Sequence, residues 1–120
     1  MPDLPRRRPA DHLPLSVPVF QILLSLSDRD LHGYAIIQDI GTRTGGEVQL
    51  TASTLYAAVK RLLDGGLVEE VGAARSAGDD PRRRYYHLTD DGVAVARAEA
   101  ARLARAVEMA RRKRLVPRKV

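Results

Sequence analysis

The chain has 120 residues, with no cysteine, no tryptophan and a single phenylalanine. Without cysteine there are no disulfide bonds and no thiol chemistry, which fits a reducing compartment. The sequence also lacks an apolar run of about 20 residues, the length that a membrane-spanning helix needs. Its basic N-terminus is not followed by the apolar segment of a signal peptide. We therefore expect a cytoplasmic protein with no membrane partner.

Residue patterns for catalysis or metal binding are also missing. His12, His32 and His87 share no metal-ligand spacing with one another. No glycine-rich phosphate loop occurs, and no nucleophile stands in a Gly-x-Ser-x-Gly turn. We therefore expect a protein that is not an enzyme and that uses neither a cofactor nor a metal.

Positive charge is in excess. Lys and Arg total 20 against 15 Asp and Glu, which gives a formal charge of +5 and favours a polyanionic partner. Many of the cations lie near the two termini, as in Arg6 to Arg8 and in the run from Arg111 to Arg114. Residues 1–14, with four prolines, are expected to form a flexible basic arm that either follows DNA phosphates or is simply disordered. Residues 115–120 are expected to be a basic tail.

The stretch from residue 50 to residue 66 is the most informative part of the chain. Its apolar residues recur at helical spacing, Thr51 can cap the helix start, and Gly65 and Gly66 can end it. A polar face of this kind can enter a major groove, because phosphates attract its cations and base edges bond to its short polar groups. The alternative is an ordinary amphipathic helix with a solvated face. The polar face consists of Ser53, Thr54, Tyr56, Ala57, Lys60 and Arg61.

The flanking segments predict a winged helix-turn-helix domain over residues 15–88. Apolar spacing predicts a helix over residues 15–26, capped by Ser16, and a second from His32-Gly33-Tyr34 to about Thr42. Two short β-favouring runs, 67–71 and 84–88, predict a hairpin. Three helices followed by a hairpin are the order of a winged helix.

The predicted hairpin carries a basic cluster near its tip or on its return strand. Alternation along the first strand places Leu67, Glu69 and Val71 on one face. A wing could reach a phosphate or a minor groove through the cluster, and the alternative is a solvated charge cluster. The cluster consists of Arg82, Arg83 and Arg84.

A last helix is predicted over residues 89–114, with Thr89 as its cap. Its apolar residues alternate at steps of three and four, which is a seven-residue repeat. We expect this seam to have no partner in its own chain and to pack on a second subunit, including that subunit's first helix. The alternative is a lid on its own domain. The predicted dimer interface consists of Val93, Ala96, Ala100, Leu103, Val107 and Ala110.

Four segments together resemble the PadR family of bacterial transcriptional regulators in order and spacing. The resemblance begins in the first helix, continues through the entry to the second, and covers the third helix, the wing and the start of the last helix. The segments are Ile22–Leu26 with Leu31-His32-Gly33-Tyr34-Ala35-Ile36, Thr54–Leu62 with its Thr-Leu-Tyr start, Gly65–Glu69, and Arg84–Gly92.

The resemblance implies a homodimeric repressor of the short form, with a single C-terminal dimerisation helix, that binds an inverted-repeat operator in double-stranded DNA. By position, it implies that the polar face of the third helix meets DNA and that Arg82 to Arg84 belong to the wing. Tyr34 would lie near the phosphate backbone or the core beneath it. Some members bind planar aromatic effectors through tryptophan, which this chain lacks, so a small-molecule effector would be of unknown identity.

These expectations describe a mainly α fold with a small β-hairpin, in a cytoplasmic, nucleoid-associated protein. A second function stays open. The predicted recognition helix has only two cations, Lys60 and Arg61, so the domain could instead be a winged helix protein-interaction module without specific DNA binding.

Overall fold

A computed structural model describes residues 7–72 and 83–117, and these residues form helices around one small antiparallel sheet. A 3-10 helix precedes four α-helices, and three short strands pair in the order β1-β3-β2. This architecture confirms the winged helix-turn-helix prediction. The elements are the 3-10 helix Pro9–His12, α1 Val17–Leu26, β1 Leu31–His32, α2 Gly33–Arg43, α3 Ala52–Asp64, β2 Val68–Val71, β3 Tyr85–Leu88 and α4 Asp90–Arg112.

The first three α-helices enclose the core because each buries one apolar stripe. Side-chain oxygens cap α1 and α3, since Ser16 accepts from the N–H of Val19 and Thr51 accepts from that of Thr54. The buried stripes include Ile22, Leu23, Leu26, Ile36, Ile40, Leu55, Ala58, Val59 and Leu62.

A polar network joins α1 to α2. Arg43 donates to Asp39, to the side chain and the backbone carbonyl of Gln21, and to Ser25. Burial raises the pKa of Asp39, but hydrogen bonds from Arg43 and Ser25 together with the Arg43 charge leave it below its ordinary value. The network therefore sets the orientation of α2 against α1 with an ionised carboxylate at its centre.

The predicted hairpin is part of a three-stranded sheet. β1 pairs with β3 through Leu31 opposite Tyr86, and two residues are too few to show an alternating pattern in the sequence. In the wing, Val68 pairs with Leu88 and both are buried. The core residue of β2 is therefore Val68, on the face opposite Glu69 and Val71.

The start of α4 is locked onto the base of the wing. Thr89 caps the helix by accepting from the N–H of Gly92, and it donates its hydroxyl proton to the carbonyl of Gly66. A Cβ added to Gly92 would lie 2.1 Å from the carbonyl oxygen of Leu67. Only glycine lets the helix begin this close to the wing.

Two predictions about the ends of the chain need correction. Within the arm predicted over residues 1–14, Pro9–His12 form a 3-10 helix against α4, and Leu13 packs on the core. The last helix does have partners in its own chain, because its first half contacts α1 and β3 and buries Val95 and Glu99. An alternating pattern of alanines shows where a seam lies but not which half of it the same chain covers.

Candidate nucleic-acid interface

The exposed face of α3 contains the side chains that the sequence singles out for DNA contact. Ser53, Thr54, Tyr56, Lys60 and Arg61 are all exposed. At 3.6 residues per turn, Ser53 and Lys60 lie near the middle of this face, and Tyr56 and Arg61 lie at opposite edges. The five predicted contacts therefore form one continuous surface.

Two of these side chains already have partners within α3. The Thr54 hydroxyl accepts a hydrogen bond from the hydroxyl of Thr51 at 3.0 Å, beside the helix cap. Lys60 Nζ donates to Asp64 Oδ2 at 3.1 Å, and both side chains are largely exposed. An exposed pair of this type is weak, so Lys60 can exchange Asp64 for a phosphate.

Arg61 occupies a different surroundings from Lys60. It lines a surface depression between α3 and the start of α1, together with Ser53, Thr54 and the α1 residues Pro18 and Val19. The first turn of α1 therefore lies next to the Arg61 edge of the candidate interface.

Tyr56 links α3 to the start of α2. A Cβ added to Gly33 would lie 2.5 Å from the Tyr56 hydroxyl oxygen and 2.9 Å from the ring carbon that bears it. The tyrosine ring therefore rests on bare backbone at Gly33. Tyr56 is still 50% exposed and its neighbour Tyr34 is 60% exposed. The resemblance left Tyr34 beside DNA or in the core, and the structure places it on the surface.

The wing cations are described in part. Arg83 and Arg84 are exposed just before β3, whereas Arg82 falls outside the described residues. Arg84 Nε lies 3.6 Å from Glu70 Oε1 on β2, and Arg83 Nη1 lies 3.1 Å from His32 Nε2. Both cations therefore stand at the root of the wing, next to α2.

Sequence reasoning missed His32 and Tyr86. The Nδ1 atom of His32 accepts the N–H of Ala35 and caps α2, and its ring meets Tyr85 edge-on with the centroids 5.4 Å apart. Tyr86 is buried and lines the same cleft as Tyr34, Tyr56 and Arg83. The cap position of His32 could have been predicted from the helix start, but the position of Tyr86 depends on strand register.

The predicted dimer seam divides into two parts on α4. Val93 and Ala96 are partly buried against the core of their own chain. Farther along, Ala100 is exposed, Leu103 is 37% exposed and Val107 is 44% exposed. Ala110 is half-buried, and Met109 and Leu115 are exposed nearby. The second half of α4 therefore presents apolar side chains to solvent in this single chain.

Two kinds of site were sought in residues 7–72 and 83–117. No cluster of His, Asp or Glu there could hold a metal ion. In the same ranges no helix is both long enough and apolar enough to cross a membrane.

Comparison with known proteins decides the family. The profile of the transcriptional regulator PadR-like family matches residues 22–98. The chain belongs to the PadR-like family. A relative from Lysinibacillus sphaericus, described only as an uncharacterized protein, is 34% identical over 73 residues, which are 61% of this chain and 65% of the relative. The chain thus spans just under two thirds of that relative's length.

Solved structures of PadR proteins share the fold. A PadR family transcription regulator from Clostridium difficile is 24% identical and superposes with a TM-score of 0.68, covering 81% of this chain and 97% of that one. Bacillus subtilis PadR, solved in complex with operator DNA, is 24% identical with a TM-score of 0.58, covering 69% and 47%. This PadR-family chain therefore has the architecture of transcriptional regulators, as the resemblance implied.

Proposed function

We propose that this PadR-family protein is a homodimeric DNA-binding repressor that recognises an inverted-repeat operator through α3 and the wing. The observation that carries the proposal is the polar face of α3. Its hydroxyls and two cations are exposed together, while its apolar residues are buried in the core. Hydroxyl and cationic side chains on one exposed helix match the mixture of base edges and phosphates in a major groove.

The surroundings of α3 support the same function. Exposed Arg83 and Arg84 at the root of the wing add positive charge beside the Tyr56 edge of the helix. The solved operator complex of Bacillus subtilis PadR supports DNA as the partner of a chain with this fold.

The dimer is proposed from the second half of α4. Leu103 and Val107 lie four residues apart on one helical face and are exposed in the single chain. Covering them with a second α4 would remove apolar surface from water. Val17, at the start of α1, is also exposed and is suited to the contact expected between the partner's last helix and α1.

The protein-interaction alternative has one observation in its favour. Lys60, one of only two cations on the exposed face of α3, is engaged by Asp64. A face with so little free charge could instead pack on a protein through Tyr56.

Selection from a pool of random DNA duplexes separates the two functions. We expect the wild-type protein to enrich an inverted repeat whose half-sites lie about one helical turn apart, roughly 34 Å. Repression then predicts that a reporter promoter containing this repeat becomes less active when the protein is present. If no sequence is enriched while a stable protein partner covers Tyr56, the interaction module is supported and the proposal is wrong.

A further inference from the structure

A cleft between the start of α2, the side of α3 and the beginning of β3 has an unusual set of polar groups. Its side chains are those of His32, Tyr34, Tyr56, Arg83, Arg84 and Tyr86. Arginine has only donors, and a phenol can always donate. No carboxylate of the described residues lines this cleft, since the nearest, Glu70, is drawn to Arg84.

The hydrogen bonds of His32 fix which groups point into the cleft. Its Nδ1 accepts the backbone N–H of Ala35 at 3.2 Å, so a neutral ring must carry its proton on Nε2. That Nε2 lies 3.1 Å from Nη1 of Arg83, which is also a donor. Two donors therefore face each other at the cleft, and an oxygen acceptor that bridges them would satisfy both.

Tyr86 provides a third donor from below. Its side chain is only 4% exposed, and its hydroxyl forms no hydrogen bond with any residue that the structure describes. Burial raises the pKa of Tyr86, and nearby Tyr56 and Glu70 raise it further, so the hydroxyl keeps its proton. A buried phenol without a partner is costly unless its hydroxyl meets an acceptor in the cleft.

The start of α2 adds a favourable field. Gly33 and Tyr34 occupy its first turn, where backbone N–H groups lack partners within the helix and the helix dipole is positive. Helix starts of this kind favour anions. Here the helix start is combined with a buried phenol and an arginine, so the preference for an anion does not depend on the helix alone.

We propose that this cleft binds a single backbone phosphate of DNA, held by His32 Nε2–H, Arg83 and the Tyr86 hydroxyl. The inference rests on the proposed function and deepens it. Tyr56 belongs to both the cleft and the exposed face of α3, so a phosphate bound here fixes the insertion depth of α3 relative to the wing. The contact carries no sequence information, because every nucleotide offers the same phosphate.

Two conservative variants test the clamp. Tyr86→Phe removes one hydroxyl and Arg83→Gln removes one charge, so both should fold with unchanged circular dichroism. We expect each to weaken binding by about tenfold, equally for the selected operator and for an unrelated duplex. Arg83→Gln should also reduce the slope of log affinity against log salt by about one. Arg105→Ala, which removes a cation from the outer face of α4, is the matched control and should lower affinity much less.

Methylphosphonate substitution identifies the phosphate directly. Neutralising one backbone position in each half-site should weaken wild-type binding but leave Tyr86→Phe and Arg83→Gln unchanged at that position, since they have already lost the contact. Equal losses in wild type and both variants at every position would overturn the clamp. Failure of the wild type to bind any duplex would reject the proposed function itself. Titration with inorganic phosphate then separates the sources, because binding of free phosphate without DNA binding would also reject a DNA contact.

Discussion

The buried carboxylate of Glu99 in α4 accepts a hydrogen bond from the backbone N–H of Leu15, 84 positions earlier, at 2.8 Å. Arg102 binds both oxygens of the same carboxylate from the next turn of the helix. Glu99 is 1% exposed, so this contact lies beneath the N-terminal segment that leads into α1. It joins the first residues of the DNA-binding domain to the helix proposed to form the dimer.

Glu99 should make the stability of the fold depend on acid pH. The hydrogen bond from Arg102 lowers the pKa of Glu99, burial opposes the change, and the Leu15 amide adds to the lowering. Because the folded pKa lies below the ordinary value of 4.5, this stabilisation is present above about 4.5 and disappears as pH falls through the folded pKa. Urea unfolding between pH 7 and pH 3 should show this loss.

Glu99→Gln isolates the contribution of that carboxylate. The variant keeps the shape but loses the charge-assisted bonds, so we expect a decrease of roughly 1–3 kcal/mol in the unfolding free energy at pH 7. Its unfolding free energy should also fall less than that of wild type between pH 5 and pH 3. An identical fall in both proteins would show that Glu99 does not cause the acid sensitivity.

Gly33 should be required for the position of Tyr56 rather than for α2 itself. Alanine favours a helix over glycine by about 1 kcal/mol, but its Cβ would lie 2.5 Å from the Tyr56 hydroxyl oxygen. Gly33→Ala should therefore displace Tyr56 and weaken DNA binding, measured by fluorescence anisotropy. In a Tyr56→Ala background the same substitution should cost little or be stabilising. If the cost is unchanged in that background, the contact with Tyr56 is not its cause.

Leu103 tests the proposed dimer. Leu103→Glu places a carboxylate within the exposed apolar part of α4, where a partner helix would have to bury it. Sedimentation at tens of micromolar should show a dimer for wild type and a monomer for the variant, with much weaker operator binding. Ala101→Glu adds the same charge off the seam and should remain a dimer. A monomeric wild type would contradict the assembly at once.

The parts of the fold that short-range chemistry specifies could be predicted from the sequence. Ser16, Thr51 and Thr89 each cap the helix that the sequence assigned to them, because a cap depends on residues three positions away. The exposed polar face of α3 followed from its period for the same reason.

Features that depend on distant residues could not be predicted. β1 is recognisable only through its pairing with β3, and the sequence of Glu99 in an arginine-rich helix is typical of a solvated face. The buried position of Glu99 arises from Leu15 and the 3-10 helix that pack over it. The cleft at His32 likewise requires α2, α3 and β3 to meet. Sequence periodicity describes one element at a time and does not contain these meetings.

The central claim is that the exposed face of α3 binds DNA, and titration of the selected operator at fixed salt with α3 variants tests it most directly. Lys60→Ala and Arg61→Ala should each weaken binding roughly tenfold without loss of helical circular dichroism, whereas Arg105→Ala should have little effect. Asp64→Asn should strengthen binding, because it releases Lys60 from its only printed-length contact of 3.1 Å. Unchanged affinity in both Lys60→Ala and Arg61→Ala would contradict the account.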